Sequence, residues 1–515
     1  MKSFSNKSKY FWISILLLSI LFKPLWLFEK DNIDPQDDLS YWLHGYTLSK
    51  DFDISYIDDF TLESSIFDED TNAPSHFPGS GYATSPFIFL FSIIDNAVGN
   101  EVDRLNPTKS FSYLGYFAGT LFYCLLGFYL LSKIVRKNKY FHYPFLYFIL
   151  LFSTLVHFVT TRFLMSHSFE FFLCSLLIYI YETKKNLLKP KHFFYLILCY
   201  FLIALTRPST FLYSLILFGA YVSVSDFQIK NIDKIIDFFT LSFFASIYLY
   251  LNKIIYNDYF VLFNLSNNST TSGIVDDFNF NFFVSGLIKI PNLIFSTSMG
   301  LIWIMPTLVL SILLLFTQKL EIFNISRTNW FFLLLYFFAA VSVLFIWQGR
   351  EVAYGQRLLI GLLPISFLLI SKVKIKTKIP WYLFSSYLYL SYLYFYSPNL
   401  TLVEGETLWG NLVKFAPTNY TINLLSNFYH LENIFYVSLK NIYSINFFNI
   451  FDSRLIIENN LVQNILADQS SYEKLVTTIN YYAGINTVYL VITNILIITF
   501  CYLFTKISLN IYKTK

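Results

Sequence analysis

Charge is scarce in this chain. Only 14% of its 515 residues are charged, against 55% hydrophobic and 21% aromatic, and the mean hydropathy is +0.51. Soluble domains do not carry that balance, so a water-exposed globular fold is excluded. Cysteine is scarcer still: Cys124, Cys174, Cys199 and Cys501 all fall inside apolar runs. That excludes an extracytoplasmic disulfide framework or a thiolate metal cluster and leaves them small buried roles. The first apolar run follows Lys2, Lys7 and Lys9, as in a signal peptide, but lacks a small-residue cleavage site. A retained anchor is therefore expected. No inverted internal repeat of the kind transporters often carry is visible, and nothing in the net charge of +4 calls for a nucleic-acid partner.

What is present is a series of apolar runs that approach the ~20 residues needed to cross a hydrocarbon core as helix. They fall at 10–28, 110–135, 140–160, 166–181, 192–205, 208–225, 235–256, 291–316, 329–347, 356–371, 379–396 and 486–506. The expectation is an all-α polytopic membrane protein of about twelve transmembrane helices. A shorter run, 86–98, carries Asp95 near its end, and charge decides its place. If it does not cross, the loops on the starting side hold 22 of the 37 basic residues, including Lys133, Arg136, Lys137 and Lys139, and Lys372, Lys374, Lys376 and Lys378. If it crosses, every later loop inverts, against the positive-inside rule. It is therefore placed in the outer interface of the cytoplasmic (inner) membrane, with both termini cytoplasmic.

Three long loops then lie outside, at 29–109, 257–290 and 397–485. Between Glu29 and Asp70 the first holds 13 acidic residues against Lys30 and Lys50. It contains Asp37 and Asp38, adjacent carboxylates a few residues beyond a membrane, which are unfavourable there unless water, a cation or a substrate stabilises them. From Leu39, the spacing of Tyr41, Trp42, Leu43, Tyr46 and Leu48 predicts a short helix with an aromatic stripe, lying on the bilayer surface. The HFPGSGYATSP stretch (76–86) is expected to form a tight turn at Pro78, Gly79 and Gly81. TTRFLMSHSFE places Arg162, His167 and Glu170 at an outer boundary, TRPS (206–209) forms an outer corner, and WQGREVAYGQR (347–357) puts Arg350, Glu351 and Arg357 at the mouth of two spans.

Gly355-Gln356-Arg357, an arginine opening a helix, suits an anion such as phosphate, although an arginine snorkelling to lipid headgroups or pairing with Glu351 has the same form. His167 alone would more commonly be a satisfied structural histidine. Asp51-x-Asp53 and Asp68-Glu69-Asp70 match diacid metal spacings, but a loop this acidic matches them easily, and no metal ligand is assigned; a divalent cation stays open. One reaction uses an outer carboxylate and an outer phosphate clamp beside a lipid phase. A sugar on a polyprenyl phosphate presents its anomeric carbon at the interface, where an Asp can deprotonate an acceptor hydroxyl while arginines stabilise the departing phosphate.

The acidic pair with Tyr41, the 76–99 stretch, MSHSFEFF (165–172), LTRPS (205–209), STSMGLIWIMP (296–306) and the 347–364 stretch together resemble the GT-C fold integral-membrane glycosyltransferases. The likeness is to the bacterial branch related to protein O-mannosyltransferases and to the aminoarabinose transferase acting on lipid A. The resemblance covers most of 1–396 and implies a catalytic transmembrane region with juxtamembrane helices in the first outer loop. It also implies a polyprenyl-phosphate sugar donor, an Asp base and arginines near the donor phosphate. By match, Asp37 or Asp38 is the base and Arg357 a phosphate contact; Asp stands where the family commonly has Glu, which leaves open which of the two acts. Arg350, Arg162, His167, Tyr41 and His76 complete the candidate substrate-binding set.

Residues 397–485 are read as an extracytoplasmic cap and 486–515 as the last span and a cytoplasmic tail. The acceptor would be a hydroxyl of a glycan, lipid or protein. Two other readings remain: an O-antigen-type glycan polymerase or ligase, whose site arginines should dominate, and a transporter of lipid-linked glycans, whose charges should lie mid-span.

Overall fold

The computed structural model describes residues 37–54, 56, 73–74, 76–135, 155, 158–159, 162–183, 190–224, 231–259, 305, 308–309, 311–312, 315, 331, 333–340 and 357–372. Among these the regular elements are all helices: α1 (Asp37–Lys50), α2 (Gly79–Val98), α3 (Phe111–Val135), α4 (His167–Thr183), α5 (Pro190–Thr206), α6 (Pro208–Val224), α7 (Asn231–Tyr256) and α8 (Leu363–Lys372), with 3-10 turns at Pro107–Lys109 and Arg357–Leu362. Two stretches, Phe111–Val135 and Asp233–Tyr256, are long and apolar enough to cross a membrane. The expected spans 10–28, 379–396 and 486–506, most of 140–160, 291–316 and 329–347, the loops 260–290 and 397–485, and Arg350 lie outside the described residues.

Helix α2 and α3 form an antiparallel hairpin closed by Asp95. That carboxylate is fully buried and accepts the Phe111 and Ser112 backbone N–H groups at 2.9 and 2.7 Å, the Ser112 hydroxyl at 2.7 Å and the Asn100 amide at 2.6 Å. The acid in the short apolar run is thus a cap that satisfies the first orphan amides of the next helix. Gly99, at φ +69°, ends α2 in the left-handed conformation that a Cβ disfavours. Pro86, inside α2, removes one helical N–H, and the carbonyl it would have met, Tyr82 O, accepts the Ser85 hydroxyl at 2.8 Å instead.

The expected turn at 78–81 is instead the start of α2, with Pro78 as its cap residue. Its glycines are there for close approach. A Cβ on Gly81 would lie 2.6 Å from Tyr41 O and 2.7 Å from His44 Cβ; one on Gly45 would lie 2.9 Å from Gly81 O; one on Gly79 would lie 2.8 Å from Leu205 O. Helices α1 and α2 therefore cross backbone to backbone, and α2 begins against the end of α5.

That crossing corrects the expected place of α1. The stripe of Tyr41, Trp42, Leu43 and Tyr46 is buried, but so are Ser40, His44 and Thr47 on the other sides. Helix α1 is enclosed by α2, by α3 through Trp42 against Tyr113 and Tyr116, and by the chain at 76–77, so it does not lie on a surface. Ser40 and His44 find hydrogen-bond partners there in residue 76 and Tyr56.

Gly81→Ala is expected to separate α1 from α2 and to lower stability by about 1–3 kcal/mol. Thermal unfolding of the purified protein in detergent, with the exposed Asn96→Ala in the same helix as reference, measures it; an unchanged midpoint for Gly81→Ala would contradict the backbone contact.

Candidate active site

The short corner 162–166 leading into α4 collects the site. Its backbone is fixed on α3, where the Tyr116 hydroxyl donates to Leu164 O and the Thr120 hydroxyl to Phe163 O, both at 2.8 Å, while Ser168 returns a hydrogen bond to Thr120 O. Phe163 packs edge-on to Tyr113 at 4.9 Å, which buries the corner against α3. A turn joins Met165 N–H to Arg162 O at 3.2 Å and so sets neighbouring side chains toward different partners.

Arg162 Nε donates to Asp38 Oδ2 at 3.1 Å, and both side chains keep a little exposure, 20% and 10%. Ser166 donates to the Tyr41 hydroxyl at 3.3 Å. Arg357 Nη1 reaches Met165 Sδ at 3.7 Å from the 3-10 turn that precedes α8. Asp38, Tyr41, Arg162 and Arg357 are therefore brought to one corner although they come from segments far apart in the chain. Asp37 opens α1 beside them.

Behind this corner lies a buried ionic cluster. Glu170, 1% exposed, has Oε2 at 3.1 Å from His167 Nδ1 and at 3.7 Å from Arg207 Nε, and Oε1 accepts the Thr210 hydroxyl at 2.5 Å. With Nδ1–H donated to the carboxylate, His167 Nε2 is left to accept from Arg207 Nη1, 3.1 Å away. His167 itself is fully buried against the Phe158 ring, 4.3 Å between centroids. It acts through Glu170 and Arg207, not as a solvent-facing ligand. Arg207 is the only non-helical residue between α5 and α6, and the helical bonds run through it: Arg207 N–H to Ile203 O at 2.7 Å and Phe211 N–H to Arg207 O at 3.1 Å. The TRPS corner is thus tied to α4 by charge.

The chain at His76 lies over the first turns of α1. Its N–H donates to Ser40 Oγ at 2.9 Å, its ring tilts against Tyr41 at 4.9 Å, and its carbonyl accepts both His44 Nε2–H at 2.6 Å and the Tyr256 hydroxyl at 2.7 Å. Because a carbonyl only accepts, the His44 proton sits on Nε2, and Nδ1 accepts from the Tyr56 hydroxyl. Complete burial lowers the His44 pKa from 6.5 to about 3, with the His76 carbonyl opposing that shift in part. Burial also pushes the Tyr82 phenol, 3.5 Å from Tyr56, up from its usual value.

His44 was hidden in the sequence by its place beside an apolar stripe, where a lone histidine looks like core. Arg207 and Ser166 carried no signal beyond lying in the boundary motifs. Of the diacid spacings, Asp51 pairs with Arg104 at 3.7 Å and 68–70 lie outside the described residues; among the described residues no group of three or more His, Cys, Asp or Glu could hold a metal ion. No family model, curated protein or solved structure matches this chain.

Glu170→Gln keeps the shape and the Thr210 partner but leaves Arg207 without its carboxylate, and the expected loss is about 3 kcal/mol, read as a fall in the unfolding midpoint; an unchanged midpoint would dismiss the ionic tie. His44 predicts an acid dependence. Unfolded, it takes up a proton below pH 6.5; folded, it stays neutral down to about pH 3. The unfolded state therefore binds more protons between these values, and stability falls with pH through that window, by about 1 kcal/mol per unit from this one group. Melting His44→Gln at pH 7.5, 6 and 5 should give a flatter dependence than the wild type, and parallel curves would refute the assignment.

Proposed function

We propose that the chain is a GT-C-type glycosyltransferase that moves a sugar from a polyprenyl-phosphate donor to an acceptor hydroxyl on the extracytoplasmic face of the inner membrane, through about twelve spans. The observation that carries this reading is the Asp38–Arg162 contact at a corner that also receives Arg357. A carboxylate able to take a proton stands against one guanidinium, and a second reaches the same corner through Met165; both guanidiniums are able to hold a phosphate, as the reaction requires. The positive-inside pattern puts this corner outside, and the apolar faces left exposed on α3 and α7, among them Phe122, Tyr129, Phe238, Phe239 and Phe243, suit lipid contact.

The step balances simply. The acceptor O–H gives its proton to Asp38, its oxygen forms a bond to the anomeric carbon, and the carbon–oxygen bond to the lipid phosphate breaks with its electron pair on the phosphate, whose charge Arg357 and Arg162 meet. Attack opposite the leaving group inverts the anomeric centre. Asp38 is the preferred base of the acidic pair because its carboxylate lies at the corner that also receives Arg357. Arg350 and Asp37 remain candidates from the same outer mouth. No step here needs a metal.

Of the described buried carboxylates, Asp38 opens α1, Asp95 caps α3, Glu170 lies in the first turn of α4 and Asp237 in the second turn of α7, none of them at the middle of a helix. That distribution disfavours a transporter, whose charges should line the middle of its spans. A polymerase or ligase built on arginines is the second reading, favoured by the convergence of Arg162, Arg207 and Arg357.

Asp38→Asn is expected to reduce transfer by about 100-fold or more while donor binding persists, and Arg357→Gln to weaken binding of undecaprenyl phosphate by about tenfold. Both are measured in membranes with protein levels matched. Full transfer by Asp38→Asn would leave the arginine-based polymerase ahead.

A further inference from the structure

His44 makes none of the contacts expected of a catalytic group. It is fully buried, and both ring nitrogens are engaged by the protein itself: Nδ1 by the Tyr56 hydroxyl and Nε2 by the carbonyl of His76. Yet it stands two turns along α1 from Asp38, and its partner is the backbone of a residue whose ring rests on Tyr41. We propose that His44 is a positioning residue for the Asp38 site, setting how closely the 76–78 segment closes over the first turns of α1 and so shaping the wall on the acceptor side. The inference rests on the glycosyltransferase reading given above.

The register of α1 makes this possible. Ser40 and His44 are four residues apart and lie one above the other on the helix. Between them they grip both polar groups of residue 76, Ser40 the N–H and His44 the carbonyl. Tyr256 from α7 reaches the same carbonyl, so its position is fixed from two elements. Tyr56 extends the tie to the chain leaving α1, packing with Ala73 and Ile255 beneath the segment that returns at His76. The result holds the His76 ring, half-buried, at 4.9 Å from Tyr41, one turn from Asp38. Arg162 meets Asp38 and Arg357 meets Met165 at the corner where the donor phosphate is proposed to bind. The segment at 76–78 is then what a hydroxyl-bearing acceptor passes, and what keeps water from taking its place.

Water competing for the anomeric carbon gives a readout that does not depend on how much enzyme folds. Membranes holding wild type, His44→Leu, His44→Gln, Tyr256→Phe or Asp38→Asn are given undecaprenyl phosphate linked to tritiated mannose, glucose or arabinose in turn. Two products are counted, sugar joined to membrane acceptor and sugar released to water. A variant that merely folds less well lowers both together and leaves their ratio unchanged. The inference expects His44→Leu to raise release relative to transfer by about fivefold. His44→Gln, whose amide N–H can still donate to the His76 carbonyl, should restore the ratio. Where His44→Leu does not accumulate, Tyr256→Phe carries the test, since it deletes only the second donor to that carbonyl and should shift the ratio in the same direction. Transfer lost in Asp38→Asn with the ratio unmoved in His44→Leu, or in Tyr256→Phe where that variant stands in, overturns the inference alone. No transfer by the wild type from any of the three donors, or full transfer by Asp38→Asn, overturns the reading and the inference together.

Discussion

Glu170 must be paired. An ionised carboxylate at 1% exposure has almost no water to stabilise it, so the energy of its burial is recovered only if cations and donors meet it in good geometry. His167 does so from the same turn of α4, and Arg207 and Thr210 from the α5–α6 corner. This requirement fixes the first turn of α4 against the α5–α6 corner, and it leaves little freedom to the residues just before α4. Arg162, Met165 and Ser166 are the residues that meet Asp38, Arg357 and Tyr41. The site at the surface of the bundle is thus held from behind by a charge cluster that the substrate need never touch.

Close backbone contact supplies the other half of the rigidity. Gly45 and Gly81 let α1 and α2 cross without intervening side chains, and Gly115 and Gly119 let α2 settle on α3, where added Cβ atoms would meet Phe87 and Thr84 at 3.0 Å or less. Buried aromatics fill the remaining space, Trp42, Tyr116, Phe128, Phe163 and Phe171 among them. Several buried aromatic hydroxyls are used, as when Tyr123 donates to Ala83 O and Tyr200 to Ser214 O. A chain rich in tyrosine can therefore pack an apolar core and still satisfy the polar groups that helix ends leave open.

Much of the helical pattern was legible. The helices α3, α5, α6 and α7 fall within a few residues of the apolar runs that predicted them, because a run of apolar residues bounded by proline or charge is a local property. The site was legible in residue types: Asp38, Tyr41, His76, Arg162 and Arg357 were singled out by charge and aromaticity at one boundary. Their partners were not. Asp38 and Arg162 stand 124 positions apart, and no local pattern links them. The surface placement expected for α1 failed because a one-sided aromatic stripe says nothing of whether the other sides will be covered, as Ser40, His44 and Thr47 are.

By itself the sequence determined an apolar helical chain with basic residues clustered between its runs and an acidic pair just beyond the first of them. Those are sums over neighbouring residues, and composition and periodicity suffice to fix them. Only the tertiary structure decided that α1 is enclosed, that Asp95 caps a helix, that Asp38 meets Arg162, and that one backbone carbonyl at His76 is held by two side chains from different helices. Each depends on which distant segments share a few ångströms of space. A hydrogen bond or ion pair exists only at that range, and its energy cannot be assigned to either residue alone.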